Sequence, residues 1–191
     1  MTDALTFLKT RRSRPAKILT APVPDREALE ALLCSAARTP DHGKLEPWRF
    51  IVLEQAALRR LGALARELAQ TAGPEVVDPD KASQQFENGQ LAVVVVASPK
   101  PCDRFPQIEQ TYSAGAVCLA LLNAALASGW GANWLSGWAS HNRDFAPKPW
   151  PLHRMKLSPV LFTLVPDRSR CPTARALMLP HSPIGFMNDC L

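Results

Sequence analysis

The chain has no paired cysteine motif, no long apolar run and no internal repeat, and each absence removes a class of protein. Its five cysteines are scattered at positions 34, 102, 118, 171 and 190 without a Cys-x-x-Cys pair, so neither a disulfide framework nor a zinc site is expected. No uninterrupted apolar run approaches the roughly 20 residues of a membrane span. The first residues lack the basic-then-apolar order of a signal peptide. We therefore expect reduced thiols, no membrane span and a cytoplasmic protein.

What is present is typical of one globular domain. The 191 residues are 47% hydrophobic and 20% charged, which is enough for a single domain with a substantial core. The net charge of +5 is uneven, because seven Lys/Arg, three Asp/Glu and eight of the 18 prolines lie from Arg143 onward. Such a basic tail raises a nucleic-acid-binding module as one function class. We rank it low, since the tail has no interleaved aromatic platforms and no recognisable reader motif.

Hydrophobic spacing and turn residues predict alternating helices and strands, and hence an α/β or α+β layered domain. The predicted helices are residues 2–10, 26–37, 55–72, 78–88 and 108–128, and the predicted strands are 48–53, 91–97 and 129–137. The β-branched run at 91–97 predicts a central strand that is covered on both faces. Residues 114–127 are apolar nearly all round, which predicts full burial and a subunit interface. Residues 78–88 are predicted to form a polar, mobile helix or lid.

Three segments have side chains or backbone suited to a ligand. Arg11, Arg12 and Ser13 offer concentrated donors for a phosphate, although a solvated basic corner is the alternative. Residues 38–50 combine a helix stop, a polar turn with His42 and a strand start, and can also be an ordinary connection with solvated charges. The glycine-punctuated stretch 129–137 leaves room for a planar ligand, or is simply a tight turn and edge strand.

Four motifs occur in order at suitable spacing. They are Arg-Arg-Ser after the first helix, Arg-x-Pro-Asp-His followed by Pro-Trp-x-Phe, Glu-Gln-x-x-Ser-Ala-Gly at the start of the long helix, and Gly-x-Gly-x-x-Trp-x-Ser-Gly. Together they resemble the nitroreductase family, most closely its short, FMN-dependent, YdjA-like branch. The resemblance covers about three quarters of the chain, from residue 2 to about residue 140.

The resemblance implies a single α+β domain over residues 1–191, with three layers and a central, mostly antiparallel sheet flanked by helices. It implies FMN sites at a homodimer interface. NAD(P)H would reduce the flavin, which would then pass electrons to a nitroaromatic, a quinone or a similar small-molecule acceptor in a ping-pong cycle. No catalytic side chain, metal, nucleic acid or membrane is implied. The alternative is a flavin-binding or degenerate protein without turnover.

The resemblance also assigns site residues by position. Those matching the family's flavin contacts are Arg11, Arg12, Ser13, Arg38, His42, Trp134, Leu135 and Ser136. The family supplies Arg38 and His42 across the dimer interface. A weaker match to an NAD(P)-contacting stretch covers Ala124, Ala125, Leu126, Ala127, Ser128 and Gly129.

After Arg143 the resemblance stops, and residues 144–191 are an atypical segment rich in proline and arginine. Codons permitted for residues 155–166 can read, in a shifted frame, as Asp-Glu-Thr-Val-Ala-Gly-Phe-Ile-His-Ile-Gly-Thr, which has the pattern of the family's missing strand. Our hypothesis is a one-base frameshift near residues 145–149, and the rival is a divergent tail. Residues 160–165 favour a strand that substitutes for the missing one, and we expect 168–191 to be irregular or poorly packed.

Overall fold

The computed structural model describes residues 3–142 and 144–145, and the backbone of two further strands at 160–166 and 185–186. Each of the eight predicted elements is confirmed to within two residues at either end, and the strand predicted at 160–165 is present. The elements in chain order are α1 (Ala4–Thr10), a 3-10 turn (Ala16–Ile18), α2 (Arg26–Ala36), β1 (Trp48–Glu54), α3 (Gln55–Ala72), α4 (Pro79–Glu87), β2 (Leu91–Ala97), α5 (Gln107–Ala127), β3 (Trp130–Leu135), α6 (Trp138–His141), β4 (Val160–Pro166) and β5 (Gly185–Phe186).

The five strands form one sheet in the order β3-β4-β2-β1-β5. The pairs β1–β2, β2–β4 and β3–β4 are antiparallel, and only the short β1–β5 pair is parallel. Every residue of β2 is buried, so the prediction of a central strand covered on both faces is confirmed. The mostly antiparallel sheet of the α+β prediction is confirmed as well. Irregular structure was the wrong prediction for 185–186, and the rest of 168–191 lies outside the described residues.

Helices cover both faces of this sheet because its strands alternate their side chains between two cores. Phe50, Val52, Val93 and Val95 point to the face that α2 and α5 cover. Ile51, Leu53, Val94 and Val96 point to the opposite face, where they meet α3, α4 and Ala139. The result is the predicted three-layer arrangement.

Local sequence explains where several helices begin and end. Asp3, Asp25 and Asp78 are the N-caps of α1, α2 and α4, and their side chains accept hydrogen bonds from backbone N–H groups of the first turn. Pro79 occupies the first turn of α4, where its missing N–H costs nothing. Gly73 ends α3 at a φ of 95°, a value that favours glycine.

Helix α4 differs from the predicted mobile lid, because it is packed against α3. Its Ala82, Ser83 and Phe86 are buried. Arg66 of α3 donates to Ser83 Oγ (2.7 Å) and Glu87 Oε1 (3.2 Å) and pairs with Asp80. The polar residues of α4 are thus partly satisfied by a neighbouring helix, which a nine-residue pattern could not reveal.

Helix α5 has one buried and one exposed apolar side. Val117, Cys118, Leu121 and Leu122 face the sheet, so the prediction of burial holds for them. The outer side is exposed in a single chain: the exposed fraction is 45% for Leu119, and 51% and 69% for Ile108 and Tyr112, which precede residues 114–127. Burial of this side by a second subunit stays a prediction. Among the described residues, α5 is the one helix long and apolar enough to cross a bilayer. Half of that window is buried inside the protein, as in core helices of soluble domains.

Candidate functional site

The turn between α2 and β1 has an unusual backbone. Helix α2 ends at Ala36, one residue before the predicted end. Gly43, Lys44 and Glu46 then have φ values of 82°, 54° and 46°. Non-glycine residues rarely adopt positive φ, and such conformations cluster at functional sites when neighbouring structure enforces them. Here part of that enforcement is a hydrogen bond of 2.5 Å from Glu46 N–H to Asp41 Oδ2.

This turn is fastened to the first turns of α5. The hydroxyl of Ser113, a residue only 7% exposed, donates to the carbonyl of Pro40 at 2.7 Å. The Nδ1 atom of His42 lies 2.7 Å from Glu109 Oε2. Arg38 is exposed beside the end of α2, and its backbone N–H donates to the Ser35 carbonyl at 3.3 Å. The structure therefore places Arg38 and His42 on one surface segment, next to the start of α5.

The arginine segment after α1 lies against β3 instead. The backbone N–H of Arg14 donates to the carbonyl of Ala132 at 3.0 Å, so residues 11–14 run beside that strand. Arg12 and Ser13 are exposed. Arg11 is half-buried, with Nη2 3.4 Å from Ser13 Oγ and with a buried Nε that has no hydrogen-bond partner among the described residues. An arginine donor in this state is available to an anionic ligand.

The third predicted group, residues 134–136, lies at the end of β3. Trp134 is 38% exposed, whereas Leu135 packs against the core beneath α3 and α4. The hydroxyl of Ser136 lies 3.2 Å from Nε2 of His141 in α6. The hydrogen bond from Arg14 to Ala132 joins this group to Arg11, Arg12 and Ser13 within one chain. Arg38 and His42 lie on other elements: Arg38 follows the end of α2, and His42 contacts Glu109 of α5.

The weaker NAD(P) stretch is the last turn of α5 and the residue after its cap. Ala125 is fully buried, and Ala124 and Leu126 pack against the core. The N–H groups of Ser128 and Gly129 already donate to the carbonyls of Ala124 and Leu126. Exposed surface there comes from Ala127 and Ser128, so the assignment stays a prediction with little local support.

Sequence reasoning missed the partners of these residues. Glu109 had already been quoted as the first residue of the Glu-Gln-x-x-Ser-Ala-Gly motif, yet its contact with His42 joins residues 67 positions apart. Phe105, whose ring centroid is 3.9 Å from that of His42, lies in a loop without regular periodicity. His141 belongs to a four-residue helix too short for a pattern to reveal.

The three-layer α+β fold is shared with a known class of proteins. The model of the nitroreductase family matches residues 8–148, and the chain belongs to that family. The Escherichia coli K12 protein named "Putative NAD(P)H nitroreductase YdjA" is 37% identical over 135 residues, which are 71% of this chain and 73% of the relative. A Haemophilus influenzae protein of the same descriptive name is 39% identical over 143 residues, with the same two shares.

Solved structures share the fold at low sequence identity. A nitroreductase-like family protein from Bacillus cereus superimposes with a TM-score of 0.72 at 19% identity, covering 94% of this chain and 92% of the other. A Desulfovibrio desulfuricans protein crystallised in complex with FMN gives a TM-score of 0.65 at 18% identity, covering 97% and 99%. At these identities the likeness supports the three-layer fold alone.

Proposed function

We propose that this chain is an FMN-dependent oxidoreductase that uses NAD(P)H to reduce nitroaromatics, quinones or similar small acceptors in a ping-pong cycle. It would work as a cytoplasmic homodimer. The support comes from membership of the nitroreductase family, from relatives named as NAD(P)H nitroreductases, and from a fold shared with a protein crystallised with FMN.

The observation that carries the proposal is the side chain of Arg11. Its Nε is buried and has no acceptor, while Nη2 is within 3.4 Å of Ser13 Oγ. A buried charged donor without a partner costs about 1–3 kcal/mol or more. Phosphate oxygens would remove that cost, because they accept the paired N–H bonds that guanidinium offers. The residues present therefore fit the phosphate end of FMN.

Other residues of the chain have roles that follow from their positions. Arg12 and Ser13, exposed beside Arg11, would bind the same phosphate. Arg38 would donate to a flavin in the partner subunit, His42 would contact the same flavin, and Trp134, Leu135 and Ser136 would lie beside its ring or tail. FMN, when bound, supplies hydride chemistry at N5 of its ring. The chain's task is to bind it, to orient it and to leave one face open.

The exposed side of α5 supports the homodimer. Ile108, Tyr112 and Leu119 expose 51%, 69% and 45% of their surface on a helix that begins beside His42. A Cβ added to Gly115 would meet nothing within 4 Å, so the middle of this side is open in one chain. On α1, Leu5 and Leu8 are 60% and 56% exposed. Exposed apolar side chains of this kind are typical of a surface that a second subunit covers.

An absorbance spectrum of the purified protein tests the function directly. We expect flavin bands at roughly one FMN per chain, and bleaching of these bands when NADPH or NADH is added without oxygen. Reoxidation by a nitroaromatic or a quinone would complete the cycle. A colourless protein that takes up no added FMN would contradict the proposal.

A flavin-binding protein without turnover is the second candidate. The observation that favours it is the end of the family match at residue 148, before the β4 strand that joins β2 to β3. Its distinguishing result is a stable flavin spectrum that neither NADPH nor NADH bleaches.

A further inference from the structure

The ring of His42 is held by a carboxylate from a distant part of the chain. Its Nδ1 lies 2.7 Å from Glu109 Oε2, at the first turn of α5. A carboxylate only accepts hydrogen bonds, so Nδ1 carries the hydrogen and Nε2 is the nitrogen left for a ligand. The two side chains remain 62% and 41% exposed. The contact therefore fixes one edge of the ring and leaves the other accessible.

Phe105 fixes the ring from a second direction. The centroids of the Phe105 and His42 rings are 3.9 Å apart, at an interplanar angle of 45°. The same phenyl ring lies against Gly43, where an added Cβ would come within 2.2 Å of Phe105 Cε2. Glycine at position 43 thus allows the phenyl ring to reach the histidine.

The loop that carries Phe105 is itself anchored to α5. Gln110, which is only 4% exposed, accepts from the N–H of Lys100 at 2.8 Å and donates to its carbonyl at 2.9 Å. Ser113 of the same helix holds Pro40, two residues before His42. Glu109, Gln110 and Ser113 therefore fasten the histidine ring, the phenylalanine loop and the turn to one end of one helix.

We propose that Glu109 is a positioning residue for flavin binding: it sets the ring of His42 so that Nε2 meets a polar group of FMN held by the partner subunit. The inference rests on the proposed function. A purely structural role, in which Glu109 only docks the turn on α5, would make its loss independent of the histidine. The two roles predict different FMN affinities when substitutions of Glu109 and His42 are combined.

The experiment is a double-mutant cycle on FMN affinity in the full-length protein. FMN dissociation constants are measured by flavin fluorescence quenching for wild type, Glu109→Ala, His42→Ala and the double variant. We expect Glu109→Ala to weaken binding about three- to tenfold, the range of one lost hydrogen bond. In the His42→Ala background the same change should alter the affinity less than about twofold. Glu67→Ala, at an exposed acid of α3, is the matched control and should change nothing.

Conservative variants separate positioning from charge and from folding. Glu109→Gln keeps an oxygen that can accept from Nδ1–H and should retain most of the affinity. Glu109→Asp keeps the charge but is one methylene shorter, and it should weaken FMN as alanine does. If Glu109→Ala lowers the melting temperature, Glu109→Asp replaces it in the cycle, and Glu109→Gln serves as the variant that retains affinity.

Two results would overturn the inference while leaving the function intact. One is additive losses for Glu109 and His42. The other is wild-type FMN affinity in both Glu109→Ala and Glu109→Asp. Failure of the wild-type protein itself to take up FMN would instead overturn the proposed function.

Discussion

The two halves of the candidate site are incomplete in different ways. The half formed by residues 11–14 and β3 is joined inside one chain, yet it leaves Arg11 Nε buried without an acceptor. The half formed by the turn at 38–46 has its histidine paired and packed, yet it stands at the start of a helix whose outer side is exposed and apolar. The first half offers a buried donor to an anion, and the second borders an exposed apolar helix side. An FMN bound between two copies would complete both.

The largest expected effect comes from a charge on the outer side of α5. Leu119→Glu should prevent dimerisation and with it FMN retention, since burying an unpaired carboxylate at an interface costs about 3–5 kcal/mol. Light scattering after gel filtration and flavin content per chain measure the two effects. Ala63→Glu, on the exposed side of α3, is the matched control. A monomeric Leu119→Glu protein with full flavin content would show that one chain contains the whole site.

Arg11→Ala should give the next largest change. Loss of a charge-assisted contact to phosphate should weaken FMN by about 1.5–3 kcal/mol, or roughly ten- to 150-fold. Arg11→Lys should lie between, because lysine keeps the charge but not the paired geometry. Titration with FMN measures each value, and Arg60→Ala on α3 controls for net charge. Unchanged retention in Arg11→Ala would remove this residue from the site.

Mixed dimers test whether the two halves belong to different subunits. If they do, unfolding and refolding a mixture of Arg11→Ala and His42→Ala chains should restore one intact site in each mixed dimer, roughly one site in four of a statistical mixture. The amount of tightly bound FMN per chain is measured before and after mixing. No gain on mixing would mean that both halves act on a flavin bound by the same chain.

Gly43→Ala should affect the second half alone. The substitution combines a φ of 82° with a contact of 2.2 Å to Phe105, so we expect a loss of about 1–3 kcal/mol in the free energy of unfolding. Gly137→Ala is the control, because its φ of −139° is extended and its Cβ would meet only the flexible end of Gln85 at 2.6 Å. Urea unfolding followed by fluorescence distinguishes them. Equal stability of the two variants would contradict this account of the turn.

The smallest effect is expected at the inner side of α5. Burial raises the pKa of the Cys118 thiol from 9.0 to about 12, so it stays protonated at neutral pH and reacts slowly. Of the three cysteines that the structure describes, the half-buried Cys34 and Cys102 should be labelled by a maleimide before Cys118, with little change in FMN content. Mass spectrometry of labelled peptides gives the order. Early labelling of Cys118 would show that α5 opens from the sheet.

Local patterns were sufficient for most of the fold. The all-apolar run of β2 and the helix predicted at 26–37 can be recognised from residues that are close in sequence, and both are confirmed. The polar helix α4 was misinterpreted because the partner that satisfies it, Arg66, lies on another helix. The exposed side of α5 could not be told from its buried side, since both are apolar.

The site was less predictable for the same reason. Arg11, Arg12, Ser13, Arg38, His42 and residues 134–136 came from motif positions, and their flavin contacts stay predictions. Glu109 and Phe105 depend on how α5 and its preceding loop meet a turn more than 60 residues earlier. The frameshift hypothesis for residues 144–191 also stays a prediction. The nucleotide sequence decides it, because an uninterrupted reading frame without the shifted family pattern would contradict it.

The sheet order β3-β4-β2 has a consequence for how the protein is made. Strand β3, which ends at Trp134 and Leu135, pairs only with β4 in the described sheet, and β4 begins 25 residues after β3 ends, at Val160. On the ribosome, α1 to α5 can therefore assemble around β1 and β2 while β3 still has no neighbouring strand. If the chain binds FMN as proposed, we expect its loading to wait until β4 has emerged and paired with β3.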